Sequence, residues 1–353
     1  MNWPAHGANP RYIYKAMNLP LPEKIVDLSA NINPLGPPQI LKEIWSDLFS
    51  DIAEYPDPEA ASLRGMIASK EGLKEEMVMV ANGGAELIAL LGRLFARKKI
   101  LIIQPTFSEY EQACRANHCD IVYHFLDENW QYSLNELPLN EVEAVFLCNP
   151  NNPTGVCFSF EQMLSLAKRC KEHEAYLVID EAFYDFCKSY RSLVPILQHY
   201  ANVILLRSMT KMFAIPSLRL GYILADERVI ASLKNYKSHW SVNGIAIRAG
   251  EACLKEEVFI EETRDYIENE RERLFAFFHK EGYEFSPSQT NFYLLRWPDI
   301  ESQLPLFVYL LRQGIVLRHT MNFPGIEDHW LRVAIKSKAE NNQLLAALKG
   351  WRK

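Results

Sequence analysis

No pair of cysteines in this chain is spaced C-x-x-C. The seven cysteines are odd in number and scattered, which excludes a disulfide framework and a zinc site built on clustered ligands, and leads us to expect reduced thiols in a cytoplasmic protein. No apolar run approaches the ~20 residues that cross a bilayer. The start of the chain lacks a basic stretch leading into an apolar core, so no signal peptide is expected. The net charge is −6 and no basic run interrupts it, so nothing asks for a nucleic-acid partner. Neither a Walker loop nor a G-x-G-x-x-G fingerprint occurs, and no internal repeat or low-complexity stretch is visible.

What remains is an ordinary soluble composition: 353 residues, 48% hydrophobic and 23% charged, enough for a large domain and a smaller one. From about 77 to 225, short apolar strands alternate with helical spacing. This predicts a mostly parallel sheet covered by helices on both faces, with ligands at the strand C-terminal ends.

The chemistry falls at those ends. Val203-Ile204-Leu205-Leu206 runs into Ser208-Met209-Thr210-Lys211, and Arg219 follows before the next apolar run, Tyr222 to Ala225. A buried lysine can be neutral enough to attack a carbonyl and form a Schiff base. An arginine can hold a phosphate by paired hydrogen bonds. Spacing alone equally allows a surface turn with two solvated cations, and the context decides. Met77 to Val80 leads into Asn82-Gly83-Gly84-Ala85-Glu86, a strand, glycine turn and helix start, whose free amides suit an anion. Tyr176 to Ile179 ends in Asp180-Glu181-Ala182-Phe183, and a carboxylate there wants a cation such as a pyridinium nitrogen. Ala144 to Cys148 ends in Asn149-Pro150-Asn151-Asn152-Pro153-Thr154-Gly155. Phe107, past the strand at 99–103, could stack on a ring or simply pack. Tyr55 sits on a proline-stiffened loop where its hydroxyl could reach a phosphate. Helical spacing also covers 39–53, 60–71, 159–173 and 244–281. Beyond about 240 the rhythm changes to a smaller α+β domain with strands at 292–295, 315–318 and 330–335. Arg318 and Arg332 on two of these could hold an anionic substrate, although either alone reads as a surface ion pair.

Taken together, the motifs around Asn152, Asp180, Lys211 and Arg219 resemble those of fold type I pyridoxal 5′-phosphate (PLP) enzymes over essentially the whole chain. The resemblance implies a Schiff base at Lys211, Asp180 on the pyridine nitrogen, Asn152 on the ring hydroxyl oxygen and Phe107 stacked on the ring. Gly84, Ala85, Ser208 and Arg219 would take the cofactor phosphate, with Tyr55 reaching it from the neighbouring subunit of a homodimer. Within the superfamily the chain resembles first the threonine-phosphate decarboxylases of cobalamin biosynthesis, then the histidinol-phosphate aminotransferases. This rests on His6-Gly7, on Leu28 to Gly36, on Trp240 to Asn243, and on Arg318 with Asn322-Phe323-Pro324-Gly325. In that family His6, Gly7, Asn31, Asn152, Arg318 and Arg332 would line the substrate site. The implied organisation is an N-terminal arm over 1–40, a large PLP-binding domain over 41–240 and a small domain over 241–353. Two departures stand out: Ala85 replaces a hydroxyl residue, and Ala8 replaces a glycine.

Overall fold

Near-continuous apolar runs make the central sheet of the computed structural model, which describes residues 3–4 and 6–351. The strands, in chain order, are β1 (Val26–Asp27), β2 (Val78–Ala81), β3 (Lys99–Gln104), β4 (Asp120–Phe125), β5 (Ala144–Cys148), β6 (Tyr176–Asp180), β7 (Val203–Ser208), β8 (Gly221–Leu224), β9 (Glu284–Phe285), β10 (Phe292–Arg296), β11 (Ile315–Val316), β12 (Arg318–His319) and β13 (Leu331–Ala334). The seven-stranded sheet has the order β2-β8-β7-β6-β5-β3-β4. Its inner strands are buried on both faces, as runs without polar alternation require. On β5, Val145 and Leu147 face one core, while Ala144, Phe146 and Cys148 face the other. Helices Gly83–Leu94, Glu109–Ala116 and Glu227–Lys234 cover the second face. Helices Ala61–Glu71, Phe160–Glu172 and Gly244–Cys253 cover the first.

The expected α/β class and mostly parallel sheet are present, with one reversal. β8 is antiparallel to both β7 and β2. The connection from Ser208 carries just the four-residue helix Met209–Met212 and a 3-10 turn at Pro216–Leu218, and a parallel return normally needs a longer crossover element. The reversal matters, because it sets Gly221 beside both Ser208 and Ala81. The ends of β2 and β7 therefore meet at one sheet edge.

The C-terminal part forms a separate four-stranded antiparallel sheet, β12-β13-β10-β9. The N-terminal arm is stitched to it: β1 runs parallel to β11, and Leu28 bonds the backbones of both Val316 and Ala334. This pairing explains a difference from the sequence reading. The expected single strand at 315–318 is divided, β11 pairing with the arm and β12 with β13. Two expected helices are also divided. Residues 39–53 form Ile40–Glu43, Trp45–Ser50 and a 3-10 turn at Asp51–Ala53. Leu41 and Leu48 are the buried positions of the two α-helices there, too narrow a face to hold one straight helix. The 244–281 stretch breaks after Cys253 and resumes as Glu257–Glu281.

Gly155 marks the seam between the loop after β5 and the smaller sheet. Its φ is +73°, and an added Cβ would lie 2.0 Å from Ser288 Oγ and 2.7 Å from the Phe292 carbonyl oxygen. Gly155→Ala is expected to destabilise the protein by at least ~2 kcal/mol, through backbone strain and overpacking together. Chemical denaturation measures this, and an unchanged midpoint contradicts it.

Candidate active site

The strand ends and the arm enclose a cavity of about 350 Å³. One end is built from the glycine turn. Asn82 precedes helix Gly83–Leu94, and its backbone N–H donates to Glu86 at 2.6 Å. Gly84 and Ala85 then open the helix on the cavity wall, so the first-turn amides, which have no partner within a helix, form its lining. Gly83 adopts φ +76°, where a Cβ would stand 2.9 Å from Arg219 Nη2. Ser208 and Thr210 bring hydroxyls 2.8 Å apart to the same wall. Arg219, held in the left-handed region at φ +56°, closes this end. Helix amides, two hydroxyls and a guanidinium make an anion site.

Midway, Asp180 ends β6. Its Oδ2 accepts from Tyr110 Oη at 2.6 Å and its Oδ1 from the Ala182 amide at 2.9 Å. Burial pushes its carboxyl up, opposed by those hydrogen bonds. It has no ion-pair partner among the described residues. A buried carboxylate so placed favours a cationic ligand atom. Lys211 lines the same cavity. Burial, then the charges of Arg332 and Arg219, hold its amine down to about 8, with Asp180 as the opposing attraction. The lysine is partly open to the cavity and enclosed elsewhere by protein. Its backbone is anchored from the arm: the Asn33 amide donates to the Lys211 carbonyl at 3.1 Å, and Asn33 Nδ2 donates to the Met212 carbonyl at 2.7 Å.

The third side comes from the arm and the small sheet. Arg332 Nη1 donates to Asn152 Oδ1 at 2.6 Å and Nη2 to the Ser29 carbonyl at 2.9 Å. The guanidinium thus fixes the amide, leaving Asn152 Nδ2 as the donor end. Burial brings Arg332 down to about 9, helped by Arg318, and burial brings Arg318 to about 10. Arg318 lies over the Phe323 ring and donates to Asn322. His6 Nε2 is 2.8 Å from Glu109 Oε1, and its ring is 5.8 Å from that of Phe107. Gly7 and Asn31 complete this wall. A Cβ on Gly7 would meet the Ser29 carbonyl at 2.5 Å. Ala8 follows at φ +68°, its N–H bonded to Ser29 Oγ at 3.0 Å. Alanine at a place suited to glycine costs about 1 kcal/mol.

The cavity therefore gathers every residue singled out in the sequence except Tyr55. That side chain is 87% exposed, with its ring 5.4 Å from Trp240. Three lining residues escaped the sequence reading: Tyr110, Thr210 and Arg207. Tyr110 and Cys114, buried at i and i+4, were the available signal for helix Glu109–Ala116.

The residues present suit a phosphorylated pyridine aldehyde. Asn31 Oδ1 and Arg332 Nε are buried without a hydrogen-bond partner among the described residues. Asp180 offers an anion to a ring nitrogen, and Lys211 an amine to a carbonyl. The comparisons agree. The model of the family "Aminotransferase class I and II" matches residues 23–348. A threonine-phosphate decarboxylase from Salmonella typhimurium is 33% identical over 351 residues, covering 98% of this chain and 96% of that protein. The crystal structure of a histidinol-phosphate aminotransferase from Clostridium acetobutylicum superposes with TM-score 0.86 at 34% identity, covering 92% of this chain and 98% of that one. A histidinol-phosphate aminotransferase from Sinorhizobium meliloti, solved in complex with pyridoxal-5′-phosphate, shares the fold at TM-score 0.86 and 21% identity, over 97% of this chain and 94% of that one.

Lys211→Met is expected to stabilise the cofactor-free protein at neutral pH by on the order of 2 kcal/mol, because it removes a desolvated ammonium. The folded chain binds fewer protons than the unfolded one between about 8 and 10.5. The gain is therefore full below pH 8 and fades as pH rises toward 10.5. Melting temperatures across that range test this; a variant less stable than the parent at pH 7 contradicts it.

Proposed function

Because the chain belongs to the aminotransferase class I and II family, a PLP-dependent family, we propose that it decarboxylates L-threonine O-3-phosphate. The products are CO2 and (R)-1-aminopropan-2-yl phosphate, the latter serving the aminopropanol side chain in cobalamin biosynthesis. The observation that carries this reading is the pair of buried guanidiniums, Arg318 and Arg332, on one side of the cavity. Each is desolvated and lowered in pKa, so each gains from an anion. This substrate carries two anions, a carboxylate and a phosphate. Histidinol phosphate carries one.

Bound PLP supplies an electron-accepting ring conjugated to the substrate Cα. The chain's own residues do the rest. The amides of Gly84 and Ala85, with Ser208, Thr210 and Arg219, would hold the cofactor phosphate; Ala85 contributes no hydroxyl. Asp180, steadied by Tyr110, would pair with the ring nitrogen and favour its protonated form. Asn152, oriented by Arg332, would donate to the ring oxygen. Position 183 is phenylalanine, packed edge-on against Phe292 at 4.7 Å, so no hydroxyl assists Asn152 from there. Phe107 would stack on the ring. Lys211 would hold the cofactor carbonyl through Nζ, and its amine would be the group placed to move a proton at the substrate Cα.

Which bond at the substrate Cα would break is set by how remote contacts orient the substrate. Arg318 with Asn31, Gly7 and His6 would grip the substrate phosphate, and Arg332 the carboxylate. We also propose a homodimer in which Tyr55 reaches the partner's cofactor phosphate. Trp45, Phe49 and Ile52, at 57%, 73% and 63% exposure, precede Tyr55 in the chain and would add apolar area to that contact.

A second reading has its own support in the 34% identity to the Clostridium acetobutylicum enzyme. It is amino transfer from histidinol phosphate or an aromatic amino acid to 2-oxoglutarate, using the same cofactor residues.

Holoenzyme given O-phospho-L-threonine without any oxo acid is expected to release CO2 at one equivalent per substrate. Amino transfer to 2-oxoglutarate with no CO2 supports the second reading instead. Arg318→Gln is expected to raise KM for the phosphorylated substrate at least ~30-fold, the effect of losing a buried charge contact. An unchanged KM removes Arg318 from the phosphate site.

A further inference from the structure

Two cysteines stand together outside the cavity, on the loops that carry its central residues. Cys157 Sγ donates to Cys187 Sγ at 3.3 Å. Cys157 lies five residues beyond Asn152 and Cys187 seven beyond Asp180. Cys187 Sγ also lies 3.5 Å from Ser189 Oγ and, as a thiol, donates to Gln289 Oε1 at 3.2 Å, a bond its thiolate gives up. Cys157 is partly exposed and Ser189 exposed, while Cys187 is buried behind them, so solvent meets the pair from the Cys157 side. We propose that Cys157 and Cys187 are an oxidative modification site, forming a reversible disulfide when the protein meets a hydroperoxide.

The geometry is favourable. Bonded sulfurs stand ~2.05 Å apart, so the two atoms need close by little more than 1 Å. Neither cysteine lies in an α-helix or a β-strand, so rotation within loops supplies the movement. The pair is also polarised. The hydrogen bond from Cys157, then Ser189 and the charge of Arg271, hold the Cys187 thiol down to about 6 against burial, while Cys157 is pushed well up. A thiolate beside a thiol is the arrangement of an attacking and a resolving cysteine. Cys114 gives the contrast: near Cys119, it is driven by burial to about 12, and remains an inert core residue.

The step balances as follows. The Cys187 thiolate attacks one oxygen of hydrogen peroxide, the O–O bond breaks, and hydroxide leaves while Cys187 becomes a sulfenic acid. Cys157 sulfur then attacks that sulfur; the S–O bond breaks, and the oxygen leaves as water. The proton of Cys157 leaves in that water, and the proton that Cys187 released on forming its thiolate neutralises the first hydroxide. The two thiols lose two electrons, which the peroxide gains, and an external dithiol reverses the bond by exchange. Joining the sulfurs draws the loop of Asn152 toward that of Asp180, so turnover is expected to fall whichever reaction the site performs.

Treatment of holoenzyme with a small excess of hydrogen peroxide, alkylation, and peptide mapping without reduction tests this. The expected result is a Cys157–Cys187 cross-linked peptide in most of the protein, with a several-fold loss of activity, both reversed by dithiothreitol. Cys157→Ser is expected to give no cross-link and to leave Cys187 as a sulfenic acid trapped by dimedone. Full alkylation of both cysteines after peroxide, or direct passage of Cys187 to sulfinic acid in the parent protein, overturns the proposal. Cross-linking without loss of activity overturns its link to the site.

Discussion

A buried lysine amine with no carboxylate in hydrogen-bond contact among the described residues is the feature around which this molecule is arranged. Lys211 sits at the end of a buried strand, with Arg332 and Arg219 both raising the electrostatic cost of its charge and Asp180 only partly offsetting them. A folded chain keeps such a group only where the rest of the structure over-determines it. That is visible here. The backbone at Lys211 and Met212 is clasped by Asn33, which also bonds Thr263 at 2.9 Å. The arm, the catalytic turn and the long helix Glu257–Glu281 thus share one buried asparagine.

The same logic joins the two parts of the chain. Arg332 on β13 sits on the small sheet, yet its partners are Asn152 of the large sheet and Ser29 of the arm. Ser29 is in turn held by Asp27, whose Oδ1 accepts from the Ser29 amide and hydroxyl at 2.8 and 2.6 Å. Below the cavity, Arg207 donates to Glu181 at 2.8 Å and to Glu71 at 2.6 Å. This buried pair ties the residue after Asp180 to the residue before Ser208. Positioning of the site is therefore spread over buried polar contacts, where breaking one partner costs more than the pair contributes.

Much of this was legible in the sequence because the large sheet is buried on both faces. Apolar runs such as Ala144–Cys148 and Val203–Leu206 can be little else, and polar motifs at their ends stand out. The reversal of β8 was not legible, since its sequence, Gly221-Tyr222-Ile223-Leu224, reads the same in either direction of pairing. The division at Leu317 was hidden too, because it depends on the arm, some 290 residues away in sequence, inserting beside β11. Thr210 and Tyr110 were passed over for different reasons. Thr210 stands one residue from Lys211 and looked like part of the turn. Tyr110 lies on a helix whose exposed face is polar, and only its contact with Asp180 gives it meaning. Tyr55 shows the limit of a single chain: its surroundings here are Trp240 and solvent.

Reduction with borohydride addresses the central claim most directly. Holoenzyme treated with borohydride and digested is expected to yield one peptide bearing the reduced cofactor, with the modification on the side-chain nitrogen of Lys211. A modification on any other lysine, or none at all in a protein that retains turnover, contradicts the account.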